Sequence, residues 1–386
     1  MFYSLLNYKP VNVAAREVSF QLKSGILLVL AAFIFVACDS ASGEESPDNR
    51  PTAECTISEQ PVINACDLPQ DEIISGGPPK DGIPALTNPP LVAANQASYL
   101  ADTDRVIGLI LDGNPVAVPH NILWWHEIMN YDGVTDNIAI TYCPLTGSSI
   151  VFDRTAIGGA ELGVSGLLYQ NNLIMYDRNE AEALWSQMLT GARCNSSKGV
   201  TLTTVNHVEM SWGGWKELHP DTQVISGSTG FNRNYQQYPY GDYEIEDNSN
   251  VLFPMDNLDC RRPPKERVLG IPGVDGTALT FPFGLLDEIG EKAVVKTNFE
   301  GADVLVLWDR AKQSAVAFRP ETENGVAVNI SVVNGEFVDA NSATVFGADG
   351  FALEGQLASQ SLMAVDEAYV AFWFAWPAFH PRTMIF

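Results

Sequence analysis

The chain repeats itself, and this constrains its fold more than any other feature. Arg105-Val-Ile-Gly-Leu109, followed by Asp112-Gly113, returns as Arg267-Val-Leu-Gly-Ile271 followed by Asp275-Gly276. In the same order, Pro119 to His126-Glu127-Ile128 faces Pro282 to Asp287-Glu288-Ile289. Ser148 to Phe152 faces Ser314 to Phe318, and Trp215 to His219-Pro220 faces Trp376 to His380-Pro381. Matches that keep one order along a chain indicate two related units in tandem, here residues 71–245 and 246–386.

Within a unit the patterning is that of strands. Val106–Leu111 and Val116–Val118 flank Asp112-Gly-Asn-Pro115, a hairpin signal. Ile122-Leu-Trp-Trp-His-Glu-Ile-Met129 has apolar residues at helical spacing, which predicts a short helix before a strand at Asn137–Tyr142. Further strand-like runs lie at Ser149–Phe152, Gly166–Tyr176 and Val200–Val205, and Trp212–Leu218 reads as a second short helix. No long crossover helix separates successive strands, so the sheets should be largely antiparallel. The expected class is α+β and β-rich: two tandem related units of largely antiparallel strands with short helices.

The N-terminal region reads as a leader. Gly25–Cys38 is an apolar run too short to span a bilayer as a helix, preceded by Lys9, Arg16 and Lys23 against Glu17. It ends in Phe35-Val-Ala-Cys38, which resembles a bacterial lipoprotein box, so residues 1–37 read as a lipoprotein-type signal peptide and Cys38 as the lipidated residue. A plain signal peptide and an uncleaved anchor are the alternatives, and all three export the rest of the chain. Residues 38–70, rich in Ser, Glu, Pro, Asn and Asp, read as a flexible tether. The protein is thus expected in the cell envelope, periplasmic or on the outer face, held to the membrane through Cys38. Export favours disulfides, and Cys55, Cys66, Cys194 and Cys260 are the candidates: Cys55 and Cys66 are close in sequence, Cys194 and Cys260 are the next candidate pair, and the connectivity stays open. Cys143 is then the odd thiol.

The 47 acidic residues against 22 basic ones give a net charge of -25, which repels phosphate backbones and excludes nucleic acid as a partner. Familiar catalytic signatures are missing. His126-Glu127-Ile-Met-Asn130 lacks the second histidine of a zinc-protease helix, Gly163-Val-Ser-Gly-Leu167 lacks the last glycine of a nucleophile elbow, and there is no Cys-x-x-Cys pair, phosphate loop or dinucleotide-binding glycine pattern.

What remains is a set of short motifs: Trp124-Trp-His126-Glu127-Ile128, Thr141-Tyr-Cys143-Pro-Leu-Thr-Gly-Ser-Ser149, Gly163 to Leu167, Tyr176-Asp177-Arg178, Gly76 to Pro84, and the tyrosines from Tyr235 to Tyr243. Together they resemble the family named domain of unknown function 3179, over roughly residues 74 to 386. The resemblance implies an exported or membrane-associated protein of bacteria or archaea and brings no settled activity. Members of that family often carry a second cysteine three residues after the first, where this chain has Thr146, which argues against a two-thiol site.

A cysteine at a strand end before a Pro and Gly turn can act as a nucleophile or soft-metal ligand once a cation lowers its pKa. His126 and Glu127 are the companion donors for copper or zinc beside Cys143. An enzyme would instead use Cys143 as nucleophile, His126 as base and Arg178 as anion clamp. His219 and His380 recur in both units and read as structural. Cys143, His126 and Arg178 do not recur, which places the site in the first unit and leaves the second a structural role. The leading expectation is an exported lipoprotein that binds a metal ion or small ligand through a Cys143/His126 site. The alternatives are a thiol-dependent enzyme and a non-catalytic envelope scaffold whose acidic, tyrosine-rich face binds a partner protein.

Overall fold

The expected hairpin forms: Arg105–Leu111 pairs antiparallel with Asn114–Pro119 across Asp112 and Gly113. Both turn residues have positive φ (46° and 78°), as the tight turns that match strand twist require. The computed structural model describes residues 61–179, 182–192, 200–255 and 258–386. Cys38, Cys55 and Cys194, the leader and most of the expected tether lie outside them. Among the described residues no helix is long and apolar enough to cross a membrane.

The hairpin is followed by helix His120–His126 and then by strands Ile128–Asp132, Asn137–Cys143 and Ser148–Asp153. Pro119 precedes the helix, where its missing N–H costs nothing. The same order occurs at Arg267–Pro272, Thr277–Pro282, helix Phe283–Ile289, and strands Lys292–Phe299, Ala302–Asp309 and Ser314–Thr322. Strand Val208–Ser211 adds antiparallel to Arg105–Leu111, and helix Trp212–Leu218 then carries the chain to Gln223–Ile225, parallel to Asn114–Pro119. Tyr369–Phe372, helix Ala375–Phe379 and Arg382–Ile385 make the corresponding connections to Arg267–Pro272 and Thr277–Pro282. Trp215 lies on Gly108 and Trp376 on Gly270; a Cβ on either glycine would fall 2.3 Å from the indole, so only glycine admits the ring.

The fold is therefore β-rich, with several sheets and few short helices. Among the described residues antiparallel pairing dominates, and three ladders are parallel. Three of the six sheets these residues form use only strands between residues 74 and 225, and three only strands between 267 and 385. Packing is not divided in this way. One core cluster joins Ile128, Cys143, Phe152 and Trp185 to Phe372, Trp373 and Trp376, and another joins Trp212 and Trp215 to Leu305 and Phe318. Burying aromatics across the line between the sheets makes the described residues one compact unit.

Some local expectations differ from the structure. The helix stops at His126, and Ile128 and Met129 belong to the next strand. The run Gly166–Tyr176 is a hairpin, Leu162–Tyr169 with Asn172–Asp177, turned at Gln170 and Asn171, both at positive φ. Only Thr203–Thr204 of the run Val200–Val205 is strand. Packing also starts before residue 71: Ala65 and Leu68 are buried, and Leu68 joins the main core. Between Ile225 and Arg267 the described chain forms no helix or strand.

Candidate functional site

Helix His120–His126 ends without a glycine. Its last turn is closed by the Glu127 amide donating to Leu123 O at 2.8 Å, with Glu127 at φ 56°, ψ −31°. This lies outside the ordinary left-handed basin, a conformation that costs energy for any residue with a Cβ and that clusters at functional sites. The Glu127 carboxyl is nearly buried and makes no hydrogen bond with any described residue; burial alone pushes it up to about 8. At neutral pH it holds its proton.

Cys143 ends strand Asn137–Cys143 and is almost fully buried. Its thiol donates to Asn171 O at 3.6 Å. Burial, and then the neighbouring Glu127, push the thiol up to about 11. No cation draws it toward thiolate, so the pair at neutral pH is a carboxylic acid beside a thiol. The turn after Cys143 rests on a buried network. Asn172 Nδ2 donates to Thr146 Oγ1 at 2.9 Å and to Gln187 Oε1 at 2.7 Å, Ser148 Oγ donates to the same Gln187 oxygen at 2.7 Å, and Gln187 Nε2 donates to Thr141 Oγ1 at 2.8 Å. A buried network whose members all find partners holds the turn in one arrangement. Thr146 is one of its members.

His126 faces elsewhere. Its Nδ1 donates to Pro84 O at 2.7 Å, so the neutral ring accepts at Nε2 from Tyr235 Oη, also at 2.7 Å. Burial keeps the ring neutral. Both nitrogens are thus engaged before any metal arrives. Arg178 is also apart: it pairs with Asp81 at 2.9 Å and Glu161 at 3.6 Å, and is 39% exposed. The Tyr142 amide donates to Glu127 O at 2.8 Å, which sets Glu127 beside the strand end that carries Cys143, whereas His126 and Arg178 take other partners. Among the described residues no group of three or more His, Cys, Asp or Glu side chains could hold a metal ion. Cys66 and Cys260 are each disulfide-bonded, and Cys143 is the free thiol of the described residues.

The tyrosine-rich segment turns inward. Tyr238 Oη donates to Pro144 O at 3.4 Å and Tyr243 Oη to Leu145 O at 2.9 Å, so this stretch covers the turn after Cys143. The buried Lys265 fastens the cover, donating to Tyr243 O at 3.1 Å and to Asn250 O, with its ammonium 3.3 Å from the Tyr243 ring. Burial lowers that lysine to about 8.

A second constellation was not anticipated. Glu209, on strand Val208–Ser211, is buried and accepts from Arg105 Nε at 2.6 Å and from Ser149 Oγ. His120 Nε2 lies 3.6 Å and Arg267 Nη1 3.8 Å from the same carboxylate. Arg105 and Arg267 open the two corresponding hairpins, so one carboxylate answers both. Arg105, first among its opposite charges, holds Glu209 down at about 2 despite burial, and burial holds His120 at about 3, neutral. Arg105 and Arg267, each starting an apolar strand, were the signal in the sequence that a counter-charge is needed near these strand ends.

Comparison with known families places this geometry. No curated protein and no solved structure matched the chain. The family model described as "Protein of unknown function (DUF3179)" matches residues 80–383, a span that holds Glu127, Cys143, the tyrosine cover and both arginines. With the match running over most of its length, the chain belongs to the DUF3179 family.

Proposed function

We propose that this is an exported, membrane-tethered protein, anchored through Cys38, that binds a small ligand at Glu127 and Cys143. The observation that carries the reading is Glu127: nearly buried, on strained backbone, its carboxyl without a hydrogen bond to any described residue, and bonded through its backbone to the strand that ends in the free thiol Cys143. A ligand that hydrogen-bonds the acid would supply the partner that no described residue gives it. Two donors, with His126 committed to Pro84 and Tyr235, favour a small organic ligand over copper or zinc. The apolar run ending at Cys38 and the bonded state of Cys66 and Cys260 support export to an oxidising envelope compartment.

The unit that holds the site is read as one of two copies. The shared element order and the Trp-on-Gly packing support duplication, and Gly290 stands after Phe283–Ile289 where Glu127 stands after His120–His126. Asp309 pairs with Ser314 as Cys143 pairs with Ser148, so neither site residue is kept in the second copy.

Native mass spectrometry with elemental analysis tests this on protein purified without added metal or ligand. Wild type should carry a small-molecule mass without stoichiometric copper or zinc, and Glu127→Gln and Cys143→Ser should both lose it while remaining folded. Wild type without a bound mass, or both variants retaining it, would overturn the reading.

A further inference from the structure

A cleft of about 240 Å³ opens between the hairpin strand Arg105–Leu111 and the loops around residues 323, 349 and 361. Its walls include Ile110, Trp215, His219, Glu323, Asp349 and Phe351, and no lysine or arginine lines it. His219 Nε2 is bonded to Asp349 Oδ2 at 2.7 Å, and its ring lies 4.1 Å from that of Trp215. The Phe351 amide donates to the other carboxylate oxygen, Oδ1, at 3.2 Å. Asp349 is therefore fixed in place from both sides, while Glu323 is exposed at the rim. Ile110 and Phe351 are also left in solvent, 53% and 39% exposed.

The sequence pairs His219 with His380 and suggests one structural role for both. The structure separates them, since His380 Nε2 has no hydrogen-bond partner whereas His219 is tied to an acid in a cleft. Concave shape, an apolar rim and a few fixed polar groups are the features of small-molecule sites. A cavity of about 150 Å³ accommodates a benzene ring, so this one has room for a ring and a short chain. Two carboxylates, with no lysine or arginine beside them and a single neutral imidazole bonded to one, favour a positive charge, and the half-exposed Phe351 ring lies at the same cleft.

We propose that this cleft binds a small organic cation, a protonated amine on an apolar or aromatic body, with the ammonium held by Asp349 and Glu323 and the body against Ile110 and Phe351. The site is separate from Glu127 and Cys143 and does not depend on the reading given for them.

Calorimetric titration of the full-length protein tests it with three probes of similar shape: phenethylammonium, phenethyl alcohol and hydrocinnamate. Phenethylammonium should bind saturably, the alcohol about tenfold or more weakly, and hydrocinnamate not at all. Asp349→Asn should weaken the amine about tenfold and Glu323→Gln severalfold, whereas Glu127→Gln should bind it as wild type does. Should Asp349→Asn fail to fold, Glu323→Gln decides, because that side chain is exposed. Absence of saturable amine binding, equal binding of amine and alcohol, wild-type affinity in Glu323→Gln, or loss of affinity in Glu127→Gln would each overturn the proposal.

Discussion

Glu209→Ala is expected to destabilise the fold by about 3–5 kcal/mol, because it leaves Arg105 and Arg267 largely buried without the carboxylate both face. The effect should be read from denaturant unfolding at neutral pH, with unchanged slope if the compact unit still unfolds as one. Its pH dependence has a definite sign. The folded carboxyl sits at about 2, against 4.5 when free, so its stabilising contribution is complete above 4.5 and is lost as pH falls toward 2. The gap between wild type and Glu209→Gln should therefore close on acidification over that window. A cost below about 1 kcal/mol for Glu209→Ala would mean that the two arginines are satisfied without it.

Glu127→Gln should do the reverse and stabilise the protein. The carboxyl is raised from 4.5 to about 8 in the folded state, so the unfolded chain gives up this proton more readily, and stability falls as pH rises from 4.5 to about 8. Glutamine has no proton to lose and keeps the shape. The variant should match wild type near pH 4 and exceed it by about 5 kcal/mol above pH 8, since each tenfold change in proton affinity between the folded and unfolded chain is worth about 1.4 kcal/mol. Most substitutions destabilise, and a gain on removing a buried group is the mark of a residue kept for function at the expense of stability. A neutral or destabilising effect at pH 8 would show instead that Glu127 is ionised and partnered in the folded protein.

Much of the scaffold follows from local pattern. Asp112-Gly113 between alternating apolar runs can hardly be anything but a tight hairpin turn, and Trp212–Leu218 forms where it is expected. The failures have local causes. Ile128 and Met129 continue the helical spacing, yet the chain leaves the helix at Glu127 because the tertiary fold imposes a positive φ there. Asn171 turns the hairpin within Gly166–Tyr176 without the glycine that usually marks such a turn. Cys143 and Glu127 lie sixteen positions apart and meet only because Ile128–Asp132 folds back on Asn137–Cys143. The same fold-back turns His126 to Pro84 and Tyr235, so a spacing argument for a Cys143/His126 pair had no means of distinguishing His126 from its neighbour. Glu209 carries no local signal, because it becomes the shared partner of two arginines only when Val208–Ser211 pairs with Arg105–Leu111 and Arg267 reaches the same carboxylate.

The reading of the site requires Glu127 and Cys143 to form one coupled acid pair. Infrared spectroscopy across the neutral and mildly alkaline range tests this, because a protonated carboxyl and a thiol S–H each have a band free of other protein absorption. A carboxylic acid band should disappear with a midpoint of about 8, the S–H band of Cys143 should shift with the same midpoint, and Glu127→Gln should remove both changes. A carboxyl that ionises in the ordinary carboxylate range, or an S–H band that ignores it, would contradict the coupling.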